Sequence, residues 1–235
     1  NNPVSLTQVT TTGTYSFTGL RPGSYSVIQV NQPVGYLDGI DARNSNGFSG
    51  SNFGGTGTSA SDPRGTPTVP GRDAETIVDI VIPLNAEQNG VANVGGSYNF
   101  GEILPATLGD TVWEDLIGNG VLNEGEPGIP GVQVTLIGTD DTGSPVNVTT
   151  VTGAGGVYSF GHLRPGTYTV AFSNSDGTTT YAYTRQYSPL GTPSTDSNGN
   201  ELTGITDPIV LGVGEVNTTI DQGLYVPIIV GDRVW

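Results

Sequence analysis

The sequence lacks cysteine, methionine and lysine and has a single histidine among its 235 residues. Without cysteine there are no disulfides, thiolate metal ligands or cysteine nucleophiles. With only His162 as a base, nucleophile-and-base catalysis has almost no residues to use. Amphipathic helical periodicity is also missing, because no stretch keeps apolar residues at i, i+3, i+4 and i+7 over three turns. We therefore expect a protein that is not an enzyme and has almost no helix.

Positive charge is scarce: the chain has 7 Arg and no Lys against 22 Asp and Glu, for a net charge of −15. Such a chain repels phosphate backbones, so no nucleic-acid partner is expected. The charge fits either a surface that meets divalent cations or simple solubility, and by itself leaves both open. The longest apolar runs, 76–84 and 224–230, contain proline and reach about half the length of a membrane helix, so this segment should not span a membrane.

The sequence is rich in residues of short strands and tight turns: 37 Gly and 16 Pro, with Thr, Ser, Val and Tyr between them. This composition predicts an all-β fold. Residues 13–27 recur, slightly changed, as residues 156–170, and in both copies apolar residues alternate with polar ones. The Arg-Pro-Gly triplets at 21–23 and 164–166 predict a type II turn, and hence a β-hairpin in each copy.

A second repeat relates Gly-Asp-Thr-Val-Trp at 109–113 to Gly-Asp-Arg-Val-Trp at 231–235 and marks where modules begin. It predicts a first module at 1–107 that lacks its opening strands and carries a long surface loop at 38–72. A complete module follows at 108–230, and residues 231–235 are the opening strand of another. One hypothesis is that this strand inserts into a second copy, head to tail; the alternative is an arbitrary boundary of the chain.

Residues 108–226 contain four motifs that belong together: Gly109-Asp-x-Val-Trp-Glu-Asp115, Gly118-Asn-Gly120, Glu126-Pro-Gly-Ile-Pro-Gly-Val-Gln-Val-Thr-Leu136 and the stretch from Tyr158 to Val170. With these motifs the segment resembles one family, the SdrD B-like domain. Residues 1–107 match more loosely, through the first Arg-Pro-Gly copy and residues 32–38 and 98–102.

That family is named for serine-aspartate repeat adhesins and is related to collagen-adhesin B-type modules. The resemblance implies tandem immunoglobulin-like β-sandwiches with Greek-key, prealbumin-like topology, bound to calcium and strung as rigid stalks on bacterial surfaces. It also implies an extracellular protein, secreted or attached to the cell surface. Related modules lock their strands with a Lys-to-Asn isopeptide bond, for which this chain has no lysine amine.

The stretch Asp115–Glu126 fits the calcium-loop spacing D-x-[DN]-x-[DN]-G-x₅-E at every fixed place except one, where Ile117 replaces an oxygen ligand. Gly120 would make the sharp turn. The predicted ligands are Asp115, Asn119, the carbonyl of Val121, Asn123 and Glu126. The missing oxygen should weaken binding, and the alternative is a Gly/Asn-rich loop with incidental acids.

A weaker candidate set has the right initial alternation but places Glu201 where the loop requires glycine. It consists of Asp196, Asn198, Asn200 and Asp207, for which loop solvation is the alternative interpretation. The sequons at Asn147 and Asn217 would accept N-linked glycans in a host that makes them. Trp113 and Trp235 occupy equivalent strand positions and are interpreted as core anchors, with sugar-stacking platforms as the alternative.

The function these features predict is structural: tandem sandwiches that form a calcium-stiffened surface stalk or a self-assembled filament. Its partners would be copies of itself or adjacent modules of the same chain. An alternative is an adhesin module that binds a host protein or glycan through the loop at 38–72. A third reading, the accessory sandwich of a carbohydrate-active enzyme, requires a catalytic domain elsewhere.

Overall fold

Strands make up almost all of the regular structure in the computed structural model, which describes residues 6, 8, 13–21, 23–31, 33–39, 42–43, 75–82, 98–99, 101–228 and 231. Within these residues there is no α-helix, as expected, and only one 3₁₀ turn, Ala154–Gly156. The strands are β1 (Gly23–Gln29), β2 (Leu37–Asp38), β3 (Ala42–Arg43), β4 (Glu75–Ile82), β5 (Tyr98–Asn99), β6 (Glu102–Ile103), β7 (Ala106–Glu114), β8 (Gln133–Asp140), β9 (Pro145–Val151), β10 (Val157–Leu163), β11 (Gly166–Phe172), β12 (Ala182–Tyr183), β13 (Ile209–Leu211), β14 (Val216–Asn217) and β15 (Gln222–Tyr225).

The chain divides into two compact units. The first contains Asn1–Gln32 and Gly39–Gly101, and here β1 pairs antiparallel with β4 and β3 pairs with β5. Of the loop predicted at 38–72, the structure describes only residues 38, 39, 42 and 43; the rest lies outside the described residues. Most of 231–235 lies outside them too, so the predicted module boundaries and the opening strand remain predictions.

The second unit, Pro33–Asp38 with Glu102–Trp235, contains a two-sheet sandwich. One sheet has the order β10–β7–β15–β12, with β14 also beside β7, and the other has the order β13–β11–β8–β9. Alternation sets the faces: in β10 and β11 every second side chain is buried. The rings of Tyr158 and Phe172, one from each sheet, meet edge to face at 5.6 Å. The predicted all-β sandwich is therefore confirmed in this unit.

The predicted hairpins at the Arg-Pro-Gly repeats were wrong. In the second copy β10 pairs with β7, while β11 pairs with β8 and β13, so residues 164–166 carry the chain from one sheet to the other. The Tyr168 hydroxyl donates to the Arg164 carbonyl at 2.8 Å and fixes this corner. In the first copy, where residues 13–20 form no strand, Tyr25 makes the same bond to the Arg21 carbonyl at 2.6 Å. The second copy therefore forms a corner between sheets, and the first copy shares its tyrosine hydrogen bond. Alternation in the sequence does not distinguish such a corner from a hairpin.

Trp113 is fully buried, but outside the main hydrophobic cluster. It follows Val112 on β7, and both are buried because both faces of this central strand are covered. A Cβ atom at Gly223 would lie 2.8 Å from the indole Cζ2, so the ring packs directly on the β15 backbone. A ring with no exposed face is unable to stack on a sugar. Trp235 lies outside the described residues.

Candidate calcium loop and a buried acidic pair

Asp115 begins the predicted calcium loop directly after β7 and is only 1% exposed. Its Oδ1 accepts hydrogen bonds from the amides of Gly118 (2.7 Å) and Asn119 (3.2 Å). Its Oδ2 accepts from the Gly120 amide (2.7 Å) and the Thr184 hydroxyl (2.5 Å). Burial by itself raises the pKa of Asp115, but these four donors outweigh it and hold the pKa below its ordinary value. Asp115 is therefore ionised and anchors the first turn of the loop.

The other end of the loop is closed by Glu126. Its two carboxylate oxygens accept from the amides of Leu116 (2.9 Å) and Asn123 (2.8 Å). Between the two acids, Asn119 accepts from the Val121 amide through Oδ1 and donates through Nδ2 to Asn123 Oδ1, each at 2.9 Å. The predicted ligand side chains of the loop are thus hydrogen-bonded to the loop's own amides and to each other.

Gly120 makes the turn that the spacing requires. Its φ is +73°, and a Cβ atom there would lie 2.6 Å from the Arg185 carbonyl oxygen, so only glycine fits without a shift. Ile117, where an oxygen ligand was missing from the pattern, is exposed and supplies none. Hard oxygen donors in a loop closed by two acids suit calcium. Calcium itself remains a prediction, because no group of three or more acidic, His or Cys side chains converges to hold an ion in the described part of the chain.

The second predicted set is arranged differently from a calcium loop. Asn198 Oδ1 accepts from the Asp221 amide at 2.5 Å, and Asn200 Oδ1 accepts from the Leu202 amide at 2.9 Å. Asp196 has a buried Oδ1 without a hydrogen-bond partner, and burial raises its pKa. The fourth member, Asp207, raises the pKa of Tyr187, after burial as the larger cause. The side-chain oxygens of Asn198 and Asn200 thus each hold a turn or strand in place. A metal role for the set remains a prediction.

A pair that sequence reasoning missed is formed by Asp110 on β7 and Asp221 just before β15. Asp221 is 1% exposed; its Oδ1 accepts a long bond from the Thr111 amide (3.3 Å), and its Oδ2 has no partner. Burial first, and then the negative charge of Asp110, raise the pKa of Asp221 to about 8. Burial also raises the pKa of Asp110. The two carboxyl groups therefore carry fewer than two charges at neutral pH.

Polar residues adjoin both members of this pair, since Tyr158 is the register partner of Asp110 and Gln222 follows Asp221. Gln222 is fully buried, donates from Nε2 to the Ser197 hydroxyl at 3.0 Å and leaves its Oε1 without a partner. The hydroxyl of Tyr158 donates to the Ile220 carbonyl at 2.6 Å. The sequence signal for this pair is slight: Asp221 and Gln222 are polar residues between the apolar Ile220 and Leu224. Their neighbour Asp110 becomes visible only once β7 and β15 are known to pair.

The remaining candidate residues are exposed or half-buried. His162 is exposed in a bulge of β10, with φ +54°. Asn147 is exposed on β9, whereas Asn217 on β14 is half-buried and its Oδ1 accepts from both the amide and the hydroxyl of Thr219. Glycosylation of either asparagine remains a prediction. No helix among the described residues has the length and apolar character to cross a bilayer.

The sequence model of the SdrD B-like domain matches residues 106–224, which include the sandwich, the loop and the acidic pair. This chain belongs to the SdrD B-like domain family. The resemblance inferred from the motifs is therefore confirmed. The family is not enzymatic and consists of repeats of bacterial surface proteins, which places the chain at the cell surface.

Two staphylococcal proteins illustrate the similarity. Serine-aspartate repeat-containing protein F of Staphylococcus epidermidis is 35% identical over 235 residues, which are 99% of this chain and 11% of that protein. Serine-aspartate repeat-containing protein E of Staphylococcus aureus (strain Mu50 / ATCC 700699) is 30% identical over 225 residues, or 95% of this chain and 16% of that protein. The chain thus spans a small part of these relatives.

A solved structure is also similar: BcpA, the major pilin subunit of Bacillus cereus, at 13% identity and a TM-score of 0.29, over 86% of this chain and 60% of that chain. A TM-score this low supports no conclusion about the fold or the function of this chain.

Proposed function

We propose that this chain is a load-bearing spacer, part of a stalk or filament, whose second unit resists stretching along its length. The observation that supports the proposal is the pairing of the unit's first long strand with its last. Strands β7 and β15 are parallel neighbours, with Val112 opposite Gln222 and Glu114 opposite Leu224. The Asp115 amide extends this ladder by donating to the Leu224 carbonyl at 2.7 Å.

Parallel pairing decides how force reaches the hydrogen bonds. Tension that enters at the start of β7 and leaves at the end of β15 pulls the two strands past each other, so all the bonds of the ladder are loaded together. Strand β14 adds a second parallel contact, with Val216 opposite Thr107 and Asn217 opposite Leu108. Antiparallel neighbours pulled apart from one end would instead break one bond at a time.

Calcium would stiffen this load path at its end. The candidate loop leaves directly from β7, and its Asp115 is bonded to Thr184, whose amide donates to the Gly223 carbonyl on β15 at 3.0 Å. A cation held by Asp115 and Glu126 would therefore fix the point where β7, β15 and the loop meet. The residues fit such an ion in donor type and spacing, apart from Ile117.

Pulling the second unit in two directions tests the load-bearing role. The chain has no cysteine, so paired cysteine handles would be unique attachment points. Handles at Leu104 and Val226, both exposed, load β7 against β15 in shear. Handles at Gln133 and Val151, register partners at the open end of β8 and β9, unzip that pair. We expect a clearly higher unfolding force in shear; equal forces would refute the proposal.

Melting temperature tests the calcium part separately. We expect the wild-type melting temperature to rise with millimolar calcium and to fall with chelator, because an ion that binds only the folded state stabilises it. Asp115→Ala should remove the calcium response, whereas Glu124→Ala, at an exposed acid of the same loop, should keep it. Equal melting temperatures with calcium and chelator would eliminate calcium and leave the mechanical proposal standing.

Two further parts of the prediction depend on residues outside the described ones. Binding of a host protein or glycan through residues 38–72 remains the alternative function, and a glycan-array or ligand screen with a loop-deleted control would test it. Head-to-tail addition of 231–235 remains a hypothesis for filament assembly. Electron microscopy of the native material would show filaments if it is correct.

A further inference from the structure

One side of the second sandwich is poor in charge. Residues 142–163, which include strands β9 and β10, contain no Asp, Glu, Lys or Arg, although the whole chain has a net charge of −15. Strand β9 lies at the edge of its sheet and pairs only with β8 among the described strands, and β10 lies at the edge of the other sheet. Sheet edges are normally protected by charged residues, especially lysine. This side lacks that protection.

The free edge of β9 is regular along its whole length. Two hydrogen bonds just beyond the ends of β9 show which of its residues bond to β8. The Asp140 amide donates to the Ser144 carbonyl (3.0 Å), and the Thr152 amide donates to the Val132 carbonyl (2.9 Å). Since the register between them is continuous, even-numbered residues of β9 bond to β8 and odd-numbered residues point their backbone groups outward. The outward amides are those of Asn147, Thr149 and Val151; Pro145 has none.

The core is open beside this edge. Val148 points toward the sandwich interior, opposite the fully buried Leu136, yet it is 47% exposed. A cavity of about 460 Å³ lies between the two edge strands. Its lining includes the apolar Val146, Val148, Phe160 and Leu163 and also the charged Asp140 and Arg164. The cavity does not close because β10 bulges away between Phe160 and Leu163, where its register with β7 shifts. A strand added to β9 would cover this apolar opening.

We propose that the β9 edge pairs with the β9 edge of a second copy of this chain. Copies that each carry −15 repel one another, so this side, where residues 142–163 carry no charge, is where they approach at least cost. Antiparallel pairing centred on Thr149 places Thr149 opposite itself and Asn147 opposite Val151, which uses every outward amide and leaves Pro145 outside the ladder. The two four-stranded sheets then form one continuous sheet across a two-fold axis.

Sedimentation of the full chain over a range of concentrations tests the pairing. A contact made by a single pair of strands is small and therefore weak, so we expect dimers at concentrations on the order of 100 µM. Val148→Lys, which places a charge at the opening, should raise the dissociation constant at least tenfold. Val210→Lys is the matched control: the same substitution on β13, at the other edge of the same sheet, where Val210 is 76% exposed.

Thr149→Pro provides a second variant, because it removes an outward amide and leaves the bonds to β8 in place. Amide exchange by NMR of the unaltered chain needs no variant at all: Asn147, Thr149 and Val151 should exchange more slowly as concentration rises. A wild-type monomer at every concentration would overturn the proposal, even if the edge accepted a foreign peptide. Dimers that survive Val148→Lys, or that Val210→Lys weakens equally, would also overturn it.

Discussion

Asp115 and Asp221 are equally buried, each 1% exposed, yet their pKa values shift in opposite directions. Asp115 accepts four hydrogen bonds, and its pKa is lowered. Asp221 accepts one long bond, leaves Oδ2 without a partner and faces Asp110, and its pKa is raised to about 8. Burial raises the pKa of both carboxyl groups, so burial alone does not explain why the two shifts have opposite directions. The number of donors and the nearest charge decide whether a buried carboxylate stabilises this fold.

The two acids also flank the same load path. Asp115 follows the end of β7, and Asp221 precedes the start of β15. One acid strengthens its strand end with bonds from backbone amides, whereas the other introduces a carboxyl group that the fold stabilises poorly when it is charged. The comparison therefore makes predictions about stability that substitutions at each site can break or sharpen.

The largest effect is expected for Asp115→Ala. The change leaves three amides and the Thr184 hydroxyl without their acceptor, so the free energy of unfolding should fall by about 3 kcal/mol at pH 7. Chemical denaturation monitored by tryptophan fluorescence measures this. Glu124→Ala, the exposed control in the same loop, should change stability by less than about 0.5 kcal/mol. A small effect at Asp115 would mean that its four bonds contribute little.

Asp221→Asn should change the free energy of unfolding in the opposite direction and raise it. Asparagine keeps the shape and removes a charge that the site stabilises poorly, so we expect about 2 kcal/mol of added stability at pH 8. At pH 4 the folded wild type already holds the proton, and the two proteins should be nearly equal. Denaturation at both pH values measures the difference. Loss of stability at pH 8 would show that the ionised Asp221 has a favourable partner.

The pH profile of the wild type follows from the same shift. Because the pKa of Asp221 is raised in the folded state, its contribution is fully present below its unfolded pKa of about 3.9 and is lost as pH rises toward about 8. Asp115 acts in reverse, since its contribution is lost only in acid, as pH falls through its lowered pKa. Melting temperature should therefore fall from pH 5 to pH 8, and Asp221→Asn should flatten that slope. An unchanged slope in the variant would assign the effect to other groups.

The smallest expected effect is that of Thr184→Val, which removes one of the four donors to Asp115. Stability should fall by about 1 kcal/mol, and the pKa of Asp115 should rise toward its ordinary value. Carbon-detected NMR titration of the carboxyl measures the pKa. Thr184→Ser keeps the hydroxyl and should behave as wild type; a pKa that is the same in both variants would remove Thr184 from the explanation.

Local sequence patterns predicted the fold class, the family and the turn glycine at Gly120, because each depends on residues close together in the chain. The hairpins failed because alternation around Arg164 shows that two strands follow each other but not that they join different sheets. Asp221 was missed for a related reason: its neighbour Asp110 is far away in sequence and is brought close by the pairing of β7 with β15. Features that depend on strand pairing were therefore beyond the sequence alone.

The most direct test of the load-bearing claim is the unfolding force of the second unit in its two loading directions. We predict that the unit held at residues 104 and 226 withstands clearly more force than the same unit held at 133 and 151. If the second pair of handles proves as strong as the first, the parallel pairing of β7 with β15 does not bear load and the account is contradicted.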